Sequence, residues 1–437
     1  MNFLIKKFSP TILTISFLLL IYTFYKSEIY WDGSKRSYYL TYYLISSTLI
    51  FFSIITFFFN QKIKEYLIIS VISLVSSLYL FEGYLTFKKP HSTSKIKEQL
   101  YKKQTGKKWD RREILDIYKD LKKKNDNITI TYLPTHFLNK NYPNVPFALS
   151  GLSNSETIYC NENGYYSIYQ SDRYGFNNPD NEWDKKEIEY VLVGDSFTHG
   201  NCVNRPNDIS SVLRNLSKKS VLNLGIRGNG PLIEYATLRE YLNTKVKKVL
   251  WIYFEGNDLV NLENEKKNKI LINYLKDSNF TQNLKFKQND INNLLSNLIE
   301  ESERERESFQ FKLKKFIKIH NTRLLILPSL TPLQALPTAE FKKILKLMKE
   351  LSNKNNSKLY FVYLPKYIRY KRNYDNESYN LVKNIVTESN IPFIDIHKEV
   401  FEKEQNPLKL FPFELPGHYN INGYKSVAKT IYKFTKD

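Results

Sequence analysis

Three apolar runs within the first ninety residues limit what this chain can fold into more than any other feature. Phe8–Tyr25, Tyr38–Phe59 and Ile63–Leu85 are aliphatic and aromatic with almost no internal charge, and each is close to the ~20 residues a helix needs to cross a bilayer. In hydrocarbon every backbone N–H and C=O must be satisfied within the chain, so such runs are expected as helices. Lys6 and Lys7 ahead of the first run would also suit a signal peptide, but no small-x-small cleavage site follows and two further runs come after it. The expectation is a membrane anchor over residues 1–89 with three transmembrane helices and a lipid bilayer as partner, Glu82 marking the interface at the end of the third.

Three spans put the N-terminus and the rest of the chain on opposite sides. Lys26, Lys35, Arg36 and the stretch from Lys88-Lys89 onward outweigh Lys6, Lys7, Lys62 and Lys64, which by itself favours a cytoplasmic remainder. The whole chain is rich in Lys, with a net charge of +21 over 437 residues, and long domains translocate largely regardless of charge. Cys160 and Cys202, the only two cysteines, could close a disulfide in an oxidising compartment or persist as buried thiols. The expectation is an extracytoplasmic domain, on the periplasmic side in a bacterium. The basic excess is spread along the chain without a compact basic and aromatic module, so no nucleic-acid partner is expected. None of the six histidines joins a cluster with zinc-ligand spacing, and neither a metal nor another cofactor is expected.

Residues 90–186 read as a connector, helical over Arg111–Lys124, and then an irregular part, Ile128–Trp183, punctuated by Pro134, Pro143, Pro146 and Pro179. From Glu187 the pattern changes to strand and helix in alternation: a strand to Gly194, a helix near Asp208–Leu216, strand Ser220–Leu224, helix Leu232–Leu242 and strand Val246–Phe254. Such alternation predicts a parallel sheet covered on both faces, an α/β domain over residues 187–437. Residues 259–318 interrupt it with a helical insertion, Asn289–Phe316, that would be either a lid or a bystander. A short run, Arg323–Leu327, suits an edge strand. Helix Ala339–Leu351, strand Lys358–Leu364, helix Glu377–Glu388, strand Pro392–Ile396 and a final helix from about Asn422 complete the pattern, with Asn420 or Asn422 as its cap.

The first strand of this domain ends in chemistry. Val191-Leu192-Val193 stops at Gly194 and is followed at once by Asp195-Ser196. A serine there lies on the carboxyl edge of the sheet, where open α/β folds place their ligands, and the free N–H groups of the next helix can bind an oxyanion. Asp195 or Ser196 as a simple helix cap explains the stretch equally well when it is taken alone. Three more stretches follow: Asn223-Leu224-Gly225-Ile226-Arg227-Gly228-Asn229-Gly230, then Glu255-Gly256-Asn257-Asp258, and near the C-terminus Gly417-His418-Tyr419-Asn420.

The order G-D-S, glycine-rich turn, G-N-D and late His resembles the SGNH/GDSL hydrolase superfamily. The resemblance covers about Glu187–Asp437 and implies a three-layer α/β/α, flavodoxin-like domain. It makes Ser196 the nucleophile and His418 the general base, with the N–H groups of Ser196 and Gly228 and the amide of Asn257 as the oxyanion hole, supported by Gly194 and Asp195. The family's acid, two or three residues before the His, is missing: Leu415 and Pro416 stand there. Either Glu414 turns in to orient His418, or Ser196 and His418 act as a dyad. His397 is the reserve base, and His199 is expected to shape the turn. Asp172-Arg173-Tyr174-Gly175-Phe176-Asn177-Asn178 resembles a segment that leads into the catalytic strand in a membrane-anchored branch of the superfamily. There Arg173 would contact an anion, or the segment would simply pack on the sheet.

The activity this implies is acyl-ester chemistry, by a serine esterase or O-acyltransferase, on acyl or acetyl esters of cell-envelope glycans. The alternatives are a lipid esterase and a non-catalytic module that binds glycan or positions partners.

Overall fold

A computed structural model describes all residues except 1, 32, 34, 35, 89–94, 140–144, 243, 244, 327–335, 372, 373 and 437. Lys35, Lys89, Pro90, His91, Pro143 and Leu327 therefore lie outside the described residues. The chain forms two compact units, one of residues 1–91 with 304–334, the other of residues 92–303 with 335–437.

In the first unit, helices α1 (Asn2–Phe24), α2 (Arg36–Thr56) and α3 (Gln61–Lys88) carry the apolar runs. The spans Phe3–Tyr30, Tyr38–Thr56 and Gln61–Phe87 are long and apolar enough to cross a membrane. Their small polar residues turn inward: Thr56 Oγ1 donates to Ser9 Oγ at 2.9 Å, and Ser16 and Ser53 meet at 3.3 Å, joining α1 to α2. Hydroxyl pairs of this kind hold apolar helices together where hydrophobic burial cannot. Two helices from far along the chain, α12 (Phe309–Ile317) and α13 (His320–Ile326), belong to this unit. The run expected as strand Arg323–Leu327 thus lies in a helix as far as Ile326; with no strand beside it to pair with among the described residues, its apolar residues follow the helical option. The expected single helix Asn289–Phe316 is also two, broken where Ser308 caps α12.

The second unit is built on a five-stranded sheet, β4 (Glu187–Gly194), β5 (Val221–Asn223), β6 (Lys245–Phe254), β7 (Lys358–Leu364) and β8 (Phe393–Asp395), in the order β5-β4-β6-β7-β8. Every pairing is parallel. Alternate residues feed two cores, so no strand has a polar face: Val191, Val193, Trp251 and Phe361 enter one, and Tyr190, Leu192, Ile252 and Val362 the other. Helices α8 (Pro231–Tyr241), α14 (Thr338–Lys354) and α15 (Glu377–Glu388) supply the first core, and α7 (Ile209–Ser217) and α17 (Ile421–Thr435) the second. This is the three-layer α/β/α arrangement expected from the alternation.

Two stretches depart from the expectation. The irregular part before the domain carries a three-stranded sheet, β1 (Ile128–Ile130), β2 (Glu156–Ile158) and β3 (Ile168–Gln170), whose Ile128, Ile130 and Ile158 pack with Ile117 of α5 (Ile114–Lys122). Residues after Asp258 are core rather than excursion. Helices α9 (Asp258–Glu265), α10 (Lys269–Lys276) and α11 (Gln288–Glu307) bury Leu262, Leu271, Tyr274, Ile291 and Leu295 in the same cluster as α8. Their apolar spacing buries them on α8, so the part of the expected 259–318 insertion that belongs to this unit packs into the core.

Candidate active site

The strand order reverses between β4 and β6, and the crevice at the carboxyl ends of such strands is where open α/β sheets bind ligands. Ser196 stands there, first in the short helix α6 (Ser196–His199) just beyond β4. Two glycines make the turn possible. A Cβ on Gly194 would come 2.0 Å from Thr198 Oγ1, and one on Gly225 would come 2.5 Å from Thr198 Cβ. Asp195 caps α6, accepting from Phe197 N at 2.9 Å, and its buried carboxylate is a second acceptor within reach of the Ser196 hydroxyl, at 3.2 Å. Burial raises its pKa against these hydrogen bonds.

His418 reaches Ser196 from the loop before α17, whose Asn420 cap accepts from Gly423 N at 3.0 Å. His418 Nε2 lies 2.9 Å from Ser196 Oγ. On the other side of the ring, Nδ1 lies 2.9 Å from Glu162 Oε1, while Glu162 Oε2 accepts from the His418 backbone N–H at 2.8 Å. One carboxylate thus fixes both the ring and its backbone, and an Nδ1–H donated to Glu162 leaves Nε2 free to accept from the serine hydroxyl. Burial pushes the Glu162 carboxyl up, but the charge of His418, its two hydrogen bonds and the ammonium of Lys97 outweigh it and bring it down to about 2. Lys97 is held close by donating to Pro416 O at 2.7 Å.

Glu162 was not among the residues singled out in the sequence. Glu414 does not take the position: its carboxylate accepts from Asn406 Nδ2 at 3.1 Å and its carbonyl from Tyr367 Oη at 3.0 Å. Phe413 and Glu414 both have left-handed backbone (φ 58° and 56°), a bend that points the Glu414 side chain to Asn406 and not to the imidazole. Asn201 was also missed; its amide nitrogen lies 2.8 Å from His418 Nδ1 and 3.2 Å from Nε2, against the ring.

Cys160 and Cys202 are joined as a disulfide. Cys160 is two residues from Glu162 and Cys202 follows Asn201, and Asn163 Nδ2 donates to Cys202 O at 2.7 Å. The bridge therefore ties the loop that carries Glu162 to the loop that follows Ser196.

Gly228 and Asn257 lie on the two loops that flank Ser196, after β5 and β6. Among the described residues neither the Gly228 N–H nor the Asn257 side chain makes a hydrogen bond. The Gly228 loop is braced from below. Asn261 Nδ2 donates to Gly228 O and Asn229 O at 3.2 and 3.3 Å, and the buried Glu265 carboxylate accepts from Gly230, Leu232 and Ile233 N–H at the start of α8. Burial lifts Glu265 to about 7 in spite of those bonds. Glu234 and Asp258, equally buried and repelled by each other and by Asp195 and Glu265, are raised well above the ordinary range.

The remaining expected groups are structural. His199 is buried between Tyr159 and Tyr169, with Nδ1 on Gly225 O at 3.2 Å, and burial lowers it to about 4. His397 is engaged by Tyr370 Oη at 2.8 Å and Glu402 at 3.1 Å, which removes it as a base for Ser196. Arg173 is no free anion contact, since Asp180 and Asp184 hold its guanidinium at 2.7 and 2.8 Å. Its neighbour Asp172 is a buried hub for Asn178 and Trp183, and Asn177 Nδ2 donates to His199 O, so this segment props up the turn. Beside the His418 loop opens a cavity of about 330 Å³ lined by Tyr101, Tyr165, Phe413, Gln104, Asn163 and Asn422.

The family model described as GDSL-like lipase/acylhydrolase matches residues 190–431, more than half of the chain. Among solved structures, a protein of the G-D-S-L family from Desulfitobacterium hafniense DCB-2 is similar at 16% identity and a TM-score of 0.31, over 57% of this chain and 99% of that one. The acetyl xylan esterase AlAXEase is similar at 15% identity and a TM-score of 0.34, over 56% of this chain and 99% of that one. No curated protein matches. With its Ser196 stretch, glycine turn, G-N-D and late His all inside the matched residues, the chain belongs to the GDSL lipase/acylhydrolase family and is an ester hydrolase in type.

Proposed function

We propose that the chain is a serine esterase working through Ser196, His418 and Glu162 on O-acyl esters of glycans at a cell envelope. The observation that carries this reading is the relay from Ser196 Oγ to His418 Nε2 at 2.9 Å and from Nδ1 to Glu162 at 2.9 Å. In the first half-reaction Ser196 Oγ attacks the ester carbonyl carbon as its proton passes to His418 Nε2, and Glu162 stabilises the imidazolium that forms. The tetrahedral oxyanion is taken by the N–H of Gly228 and the amide of Asn257, together with the N–H of Ser196. Preorganised donors such as these typically contribute about 3–4 kcal/mol each to the transition state. Collapse expels the alcohol, which takes the proton from Nε2. Water, or a sugar hydroxyl in the transferase form of the reaction, then gives its proton to Nε2 and attacks the acyl-enzyme, whose bond to Ser196 Oγ breaks as Oγ takes that proton back from Nε2.

Glycan as the alcohol portion is supported by the cavity beside His418, whose aromatic faces and amide side chains suit the apolar faces and hydroxyls of a sugar. The three apolar helices support a multi-pass membrane anchor. The Cys160–Cys202 disulfide supports an oxidising, extracytoplasmic site for the second unit. The test is hydrolysis by the purified full chain in detergent of acetylated glycan oligomers, long-chain phospholipids and a small aryl acetate. Release of acetate from the oligomers at a kcat/KM at least about tenfold above the aryl acetate is expected, a gain of ~1.4 kcal/mol from glycan contacts. Preference for the phospholipids would move the assignment to lipid ester hydrolysis.

A further inference from the structure

We propose that residues 309–326 form a second membrane-contacting element, an amphipathic hairpin lying in the headgroup and upper acyl region of a bilayer that carries anionic lipids. The proposal rests on the reading of α1, α2 and α3 as membrane-spanning. Helix α12 exposes Phe309, Leu313 and Ile317, at 74%, 44% and 57%, on one line at i, i+4 and i+8. Four exposed lysines, Lys312, Lys314, Lys315 and Lys318, lie around the rest of its circumference with Gln310 and the half-buried Phe311. Ile319, in left-handed backbone at φ 42°, turns the chain into α13, which exposes Leu324, Leu325 and Ile326. An exposed apolar stripe flanked by cations is the composition of a helix that lies in the plane of a membrane interface, with lysine stems along the apolar surface and ammonium groups among phosphates.

The rest of the unit fixes where this hairpin sits. Successive spans run in opposite directions, so the end of α3 and the start of α2 lie at the same membrane face. The hairpin touches both ends. Tyr79 Oη donates to Ile317 O at 2.9 Å and its ring packs on Phe316 near the end of α3, while Arg323 donates to Tyr42 Oη at 2.8 Å near the start of α2. Tyrosines at this level are typical of the boundary between acyl chains and headgroups. Glu82 is the anchor. It has no exposed surface, and its two oxygens accept from Asn321 N and Nδ2 and from Thr322 N and Oγ1, at 2.8 to 3.0 Å. A carboxylate this deep in an apolar helix is costly unless fully partnered, and the partners it has come from a segment more than two hundred residues away in sequence. The chain consequently enters or leaves the membrane unit at three places, near residues 91, 303 and 334.

The experiment uses the full chain with Leu313→Cys or Ile317→Cys carrying an environment-sensitive fluorophore, in vesicles of phosphatidylcholine and phosphatidylglycerol, the native cysteines remaining paired. Ile72→Cys, in the middle of α3, and Lys346→Cys, on the surface of α14, are the reference positions. Nitroxides placed shallow in the acyl chains should quench positions 313 and 317 at least about threefold more than position 346, and deep nitroxides should quench position 72 most. If positions 313 and 317 respond like position 346, open to iodide and untouched by lipid nitroxides, while position 72 is quenched, the hairpin proposal is overturned and the membrane anchor stands. If position 72 also escapes lipid quenching, the anchor reading fails and the hairpin falls with it.

Discussion

The two units of this chain solve the same problem in opposite directions. In residues 92–303 with 335–437 the apolar side chains are inside: Trp251, Phe361 and Leu232 have no exposed surface. In residues 1–91 with 304–334 Phe58, Leu80 and Phe51 are exposed at 86%, 75% and 68%, while Ser46, Ser53, Thr56 and Glu82 have none. In each unit a carboxylate joins distant parts of the chain. Glu162 bonds to a histidine 256 residues away, and Glu82 to Asn321 and Thr322, 239 and 240 residues away. The difference teaches that the fold of the first unit depends on polar contacts kept from water, whereas that of the second depends on apolar burial, with buried polar groups such as Asp172 and His199 bracing the turns around Ser196.

The largest stability effect that would sharpen this contrast is loss of the covalent tie in the second unit. Cys160 and Cys202 close a loop with a sequence separation of 42, for which chain entropy gives about 4 kcal/mol. Cys160→Ser with Cys202→Ser should lower the denaturant midpoint of the second unit accordingly, and should weaken activity because the Glu162 loop is no longer held to the Ser196 loop. Unchanged activity in the folded double variant would separate the bridge from the site.

Next comes Glu82→Ala, which strands four donors of Asn321 and Thr322 and is expected to cost about 3 kcal/mol. Thermal unfolding in nanodiscs should show the loss in the first unit, with ester hydrolysis by the second unchanged. Asn257→Ala should reduce kcat about 10²-fold with little change in KM, since its amide would act on the oxyanion and not on the bound ester. A change confined to KM would assign Asn257 to substrate binding instead.

The smallest effect is one of pH. Glu265 is raised to about 7 in the folded chain, and Asp195, Glu234 and Asp258 are raised too. The folded state therefore binds more protons than the unfolded one above the ordinary carboxyl range. The stability these groups give is fully present below pH ~4.5 and is lost as pH rises through about 7, by about 2 kcal/mol between pH 5.5 and 8 for Glu265 alone. Calorimetry of the full chain at those two pH values checks the sign. Glu162 works the other way, its contribution being lost only as pH falls from ~4.5 toward about 2.

Much of the second unit was legible because its signals are local. Unbroken apolar runs such as Val191–Val193 and Trp251–Phe254 betray a sheet buried on both faces, and Ser196, Gly228, Asn257 and His418 each sit inside a short motif. Glu162 had no such signal, since it lies in Cys160-Asn161-Glu162-Asn163-Gly164, a stretch without period, and its partner is at the other end of the chain. One clue was available. A bridge from Cys160 to Cys202 brings residue 162 to within reach of the helix that Ser196 begins, which makes Glu162 a better acid than Glu414 behind the bend at Phe413. The first unit was legible as three apolar runs, but not the return of residues 309–326, because helical amphipathicity alone does not say which surface a helix will cover.

The most direct measurement is the rate at which a fluorophosphonate labels the full chain in detergent, compared across Ser196→Ala, His418→Ala, Glu162→Gln and Glu414→Gln. The account predicts no labelling for the first, a loss of about 10³-fold or more for the second and about 10²-fold or more for Glu162→Gln, with Glu414→Gln within about twofold of the parent. Labelling of Glu162→Gln at the parent rate, with loss in Glu414→Gln, would contradict it.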